Sequence, residues 1–116
     1  MRNLVFILML GCSACSAPKA VETERYEANL TERVAREVQM ADELRDYRLY
    51  AFSGRRITLP GLSQDDSEIA KVKCGTKFMP GSGDVLKTAA QRAERRAKFD
   101  FAARFNQLVY KLCLNQ

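Results

Sequence analysis

A chain of 116 residues with a formal charge of +5 makes one small domain, and a core of that size leaves little margin without a covalent staple. It contains no histidine, which excludes Ser-His-Asp and Cys-His catalysis and the usual zinc hydrolases, whose proton transfers and metal ligands need imidazole. Charge is segregated: residues 21–47 carry four arginines against eight acids, and residues 81–116 carry seven basic residues against three acids. Either the two ends lie side by side and neutralise one another, or the basic part faces an acidic partner.

The chain begins with Arg2, an unbroken apolar run from Leu4 to Leu10, and then Gly11-Cys12-Ser13-Ala14-Cys15-Ser16-Ala17. As a helix that run rises only about 10 Å, a third of the roughly 30 Å needed to span a bilayer. A conventional signal cut after Ala17 would put Pro18, with no N–H, directly after the scissile bond. Short apolar run, small residues and cysteine together resemble a bacterial lipoprotein signal, and the resemblance covers the signal alone. It implies that a cysteine is lipidated and becomes the mature N-terminus. Cys15 follows the small pair Ser13-Ala14 and Cys12 follows Gly11. Acylation of Cys15 leaves Cys74 and Cys113 as an even pair, whereas acylation of Cys12 leaves Cys15 as an odd thiol, so Cys15 is the preferred acceptor and Cys12 the alternative. Serine rather than aspartate follows either cysteine, which by resemblance to enterobacterial lipoproteins implies the outer membrane, facing the periplasm. The chain then divides into a signal (1–14), a tether (15–22) and one domain (23–116).

From Thr23 to Asp46, Tyr26, Leu30, Val34, Val38, Ala41 and Leu44 recur at spacings of three and four, one apolar stripe along a long helix. Tyr47 to Phe52 is short and aromatic, Ser53-Gly54 is turn chemistry, and Arg55 to Leu59 is β-branched before Pro60-Gly61, a pattern that predicts a hairpin. Residues 61–68 form a polar bend or one helical turn capped by Ser63. Strict alternation from Ala70 to Phe78 predicts a third strand, with Ala70, Val72, Cys74, Thr76 and Phe78 facing inward and Lys71, Lys73 and Lys77 outward. Pro80 to Gly83 breaks the chain. Thr88 and Gln91 make a capping box, and Ala90, Ala93, Ala97, Phe101, Phe105, Leu108 and Leu112 line one face of a last helix, widened by Ala102, Val109 and Cys113. Its second half supplies core, and its first half lies shallowly.

The expected architecture is α+β: an N-terminal helix, a small antiparallel sheet of about three strands, a C-terminal helix and one disulfide. Cys74 on an inward strand face and Cys113 on a buried helix stripe pair in an oxidising compartment. Two thiolates without histidine are half a zinc site, so neither metal nor cofactor is expected. The tight acids Asp65, Asp66 and Glu68 read as a solvated loop rather than catalytic carboxylates. The contact surface expected to carry function is Arg92, Arg95, Arg96 and Lys98 on the alanine-lined half of the last helix, with Arg55 and Arg56 as a weaker site. An exported lipoprotein does not normally meet nucleic acid, so the expected partners are the membrane, through the lipid, and another envelope protein. These features together suggest a non-catalytic accessory or assembly factor of a secretion, pilus, conjugation or cell-wall complex. The alternative is a ligand-binding or inhibitory module that recognises an acidic partner through the basic helix face.

Overall fold

The stripe of small and branched residues from Leu30 to Ala41 lies along α1 (Pro18–Leu44), the first element of a computed structural model that describes residues 18–52, 58–81 and 85–116. Leu30, Val34 and Ala41 are buried and Val38 packs against them, whereas Tyr26 and Leu44, at the ends of the stripe, stay exposed. Residues 18–22, expected as part of the tether, are helical and belong to α1. It ends in a Schellman motif. Arg45 takes a left-handed φ of 52°, its N–H bonds to Asp42 O at 3.2 Å, and Asp46 N–H reaches Ala41 O at 2.9 Å.

Four elements follow: β1 (Leu49–Ala51), α2 (Gln64–Lys73), β2 (Thr76–Phe78) and α3 (Ala89–Leu114). The mixed α+β class stands, but the expected antiparallel sheet does not. Among the described residues there are two strands, and β1 pairs with β2 in parallel, Leu49 opposite Thr76 and Ala51 opposite Phe78. A parallel pair needs a long crossover, which α2 supplies. Residues 53–57 of the expected hairpin lie outside the described residues; Thr58 and Leu59 are not strand, and Leu59 is buried.

Capping decides against a strand at Ala70 to Cys74. Ser63 Oγ accepts from Asp66 N–H at 3.1 Å, Asp65 and Asp66 sit in the first turn of α2, and Lys71 and Lys73 sit in the last, all favourable to the helix dipole. Ser67 and Ala70, three apart, are fully buried, and Cys74 continues that face one turn on. Val72, inward on the strand reading, is 90% exposed. Gly75, at φ +81°, turns the chain into β2. The strand faces are also reversed: Lys77 lies over the rings of Tyr50 and Phe105, at 4.6 and 5.2 Å, and Phe78 is exposed.

The capping box that opens α3 is present. Thr88 Oγ1 accepts from Gln91 N–H at 3.1 Å, and Gln91 Oε1 accepts from Thr88 N–H at 3.0 Å. Phe101, Ala102, Phe105, Asn106, Val109, Tyr110 and Cys113 are buried, so the core belongs to the second half of this helix. The stripe is rotated from the expected one: Leu108 is exposed, and Asn106 and Tyr110 take its place inside. Asn106 has a specific task. Its Oδ1 accepts from Tyr50 N–H at 2.8 Å, while its Nδ2 donates to Tyr50 O at 2.9 Å and to Pro60 O at 3.0 Å. The amide thus serves as the neighbour strand that β1 lacks on its second edge. Gly61 lies so close to α3 that a Cβ there would fall 2.3 Å from Ala103 O. Cys74 and Cys113 are disulfide-bonded, which ties the end of α2 to the last turns of α3.

Candidate functional site

The capping box fixes where α3 starts, and the helical repeat then brings Arg92, Arg95, Arg96 and Phe99 to one side of its exposed first half. Phe52, just past β1, packs edge-on against Phe99 with centroids 5.7 Å apart. Leu86, in the segment leading to Thr88, closes the end and is 37% exposed. With Asp100 these residues line an open groove of about 600 Å³. Its floor is aromatic and aliphatic, and its charge is three guanidiniums against one carboxylate.

The charges differ in how far they are engaged. Arg95 stacks over Phe52, its guanidinium carbon 5.4 Å from the ring centroid, so its position is fixed by the floor. Asp100 accepts a hydrogen bond from Tyr26 Oη at 3.0 Å. The Tyr26 phenol is pushed up by burial first and by that bond second. Arg92 and Arg96 are exposed, and among the described residues neither has a carboxylate within ion-pair distance. Two of the groove's three cations are therefore available to a partner.

The expected basic quartet is divided. Lys98 does not line the groove; it pairs with Glu94 at 3.7 Å and lines two neighbouring recesses, one with Arg33, Glu37, Tyr50 and Met79 and one with Leu86 and Arg95. Arg55 and Arg56 lie outside the described residues, as do Cys12, Cys15 and the signal. The groove's apolar floor is absent from the contact surface expected from sequence. Phe99 stands four and three residues from Arg95 and Arg96, so helical spacing was enough to place it beside them. The approach of Phe52 from β1 is a tertiary contact that no local pattern carries.

Elsewhere, Arg48 grips Asp46 with both nitrogens at 2.9 Å, and Lys77 stands 4.0 Å away. The Arg48 hydrogen bond holds the Asp46 carboxyl down to about 2. Asp65 and Asp66 belong to the first turn of α2, and Asp66 accepts from Tyr110 Oη at 3.2 Å. Among the described residues, no group of three or more His, Cys, Asp or Glu is placed to hold a metal, and no helix is long and apolar enough to cross a membrane. No protein-family model matches the chain, and no curated protein or solved structure matches it.

Proposed function

We propose that the chain is a non-catalytic lipoprotein, anchored to the outer membrane through Cys15 or Cys12 and facing the periplasm, that binds another envelope protein as an accessory or assembly factor. The complexes in view are those of secretion, pili, conjugation or the cell wall. The observation that carries the reading is the groove beside α3, where Arg92 and Arg96 flank an apolar floor without using their charge internally. Such a surface does no evident work for the fold, whereas recognition needs charged and aromatic groups together. The lipoprotein-like start of the sequence supplies the place, and the Cys74–Cys113 disulfide suits an oxidising compartment. Neither catalysis nor a metal enters the reading, since the chain lacks histidine and the tight acids Asp65 and Asp66 sit in the first turn of α2.

Affinity purification of a C-terminally tagged full chain from cross-linked envelopes tests this, with mass spectrometry of both the partners and the N-terminal peptide. The expected result is an acylated cysteine and one recurrent envelope protein. A chain recovered alone, unacylated and in the soluble fraction refutes the reading.

That Arg92 and Arg96 have no ion-pair partner among the described residues equally favours the second reading, a ligand-binding or inhibitory module for an acidic partner. The two differ in their need for the anchor. An assembly factor loses function when a cleavable non-lipid signal replaces the lipidated cysteine, and an inhibitor keeps it.

A further inference from the structure

We infer that the groove between α3, Phe52 and Leu86 is a docking site for an acidic peptide segment of a partner protein, one that presents an apolar side chain beside its carboxylates. This rests on the adaptor reading and specifies what the adaptor grips. Arg92 and Arg96, both exposed, occupy helix positions one turn apart, about 6 Å along the axis, a spacing that alternate side chains of an extended peptide or neighbours at i and i+4 of a helical one reproduce. Each guanidinium matches a carboxylate with two parallel hydrogen bonds. Arg95, held against Phe52, adds positive field at the floor without needing to move. Leu86, 37% exposed, provides the apolar surface on which a side chain between or beside the acids is buried, with the half-buried Phe99 beside it and Phe52, itself buried, beneath. Anchoring by one buried apolar group with charge pairs around it is the usual economy of a protein interface.

An anionic membrane fits the same charges less well. The arginines border a concave groove that a planar headgroup layer does not enter. A second copy of the chain is the other source of carboxylates, because α1 is itself acidic.

The test uses the full chain in detergent, with a labelled short peptide of glutamates flanking one phenylalanine, read by fluorescence anisotropy. Control peptides carry alanine for the phenylalanine or glutamine for the glutamates. Arg92→Glu with Arg96→Glu is expected to weaken binding about a hundredfold, since each reversal removes a charge pair and adds repulsion. Leu86→Asp, at a partly exposed position, is expected to weaken it about tenfold. Salt should weaken the wild-type complex, both control peptides should bind worse, and a lysine version of the peptide should recover binding to the double variant. Circular dichroism checks that the variants stay folded. Equal affinity of wild type and double variant overturns the proposal. So does failure to bind the peptide together with retention on phosphatidylglycerol but not phosphatidylcholine vesicles that the double reversal abolishes, which assigns the arginines to a membrane. Self-association that the double reversal abolishes also overturns it and assigns the groove to a second copy. If the cross-linked envelope partner still accompanies the double variant, the groove assignment fails and the adaptor reading stands. If the unmodified chain has no partner and no acyl group, the adaptor reading fails whatever the peptide does.

Discussion

Exchanging Asn106 for alanine is expected to destabilise the domain by about 3–5 kcal/mol, although the residue is no part of the groove. The side chain is fully buried and makes three hydrogen bonds, to Tyr50 N–H, Tyr50 O and Pro60 O. At about 1 kcal/mol net for each bond the loss is about 3 kcal/mol, and backbone groups left unpaired in the core raise it further. Against a total of about 5–15 kcal/mol for a small domain, that is a large share. Urea unfolding followed by circular dichroism, with the disulfide kept oxidised, measures it. Asn106→Asp is the sharper control, because it replaces an N–H donor that faces two carbonyl oxygens. The new carboxyl must be protonated to fold, so its folded pKa is raised above the unfolded value of about 3.9. Its stability is then greatest below that value and falls by about 1.4 kcal/mol for each pH unit until the folded pKa is passed. A loss under about 1 kcal/mol for the alanine variant, or a flat profile for the aspartate variant between about pH 4 and 7, refutes the account of Asn106 as a surrogate strand.

Other consequences are open to measurement. Replacing Cys74 and Cys113 together by alanine removes a cross-link spanning 39 residues of sequence and should cost about 4 kcal/mol on the chain-entropy model, read as a fall in the denaturation midpoint. Arg45→Gly should stabilise by about 0.5–1 kcal/mol in the same assay, because only glycine takes the left-handed φ of the α1 cap without strain. All four tyrosines should ionise above the ordinary phenol value of 10, from burial first for Tyr26, Tyr50 and Tyr110 and from the bond to Asp42 first for Tyr47. Their contribution is complete below pH 10 and is lost as pH rises through the folded values; phenolate absorbance of the native and urea-unfolded chain should show the difference. Asp46, held to about 2 by Arg48, stabilises above the unfolded carboxylate pKa and loses that contribution as pH falls toward 2. With its side chain 30% exposed the effect is under about 1 kcal/mol, and Arg48→Ala should return its NMR titration toward the ordinary range.

Helices bounded by their own chemistry were legible in the sequence. The Thr88–Gln91 box and the stripe from Leu30 to Ala41 are local patterns, and the structure keeps both. The central region was harder because two periods compete there. Ala70, Val72 and Cys74 alternate as in a strand, yet Ala70 and Cys74 are also one helical turn apart, and Ser63 with two aspartates behind it starts a helix that runs through them. A cap at the N-terminus of the segment therefore decided a period that its own residues left open. The pairing of β1 was not legible at all, since a three-residue strand holds too little pattern to choose between a hairpin partner and one beyond a crossover. Asn106 was hidden for a different reason. A single amide on an apolar stripe reads as an exposed polar residue until the backbone it satisfies is in place.

The segregated charge of the chain also resolves into two parts along α3. Arg104, in the core-forming half, bonds to Glu27 of α1, and Arg33 of α1 lies over the Phe101 ring at 5.1 Å, so there the acidic and basic ends of the sequence do hold one another. One helical stretch earlier, α1 still contributes Tyr26 to Asp100, but no acid of α1 is within ion-pair distance of Arg92 or Arg96 among the described residues. Internal neutralisation therefore accounts for Arg104 in the second half of α3 and leaves the first half in excess. A helix whose inward face there is alanine gains little stability from three arginines in so short a span, and their mutual repulsion costs some. That excess is the physical ground for expecting the opposing charge to come from outside the chain, and it makes the first half of α3, rather than the basic remainder of the sequence as a whole, the surface on which function should be sought.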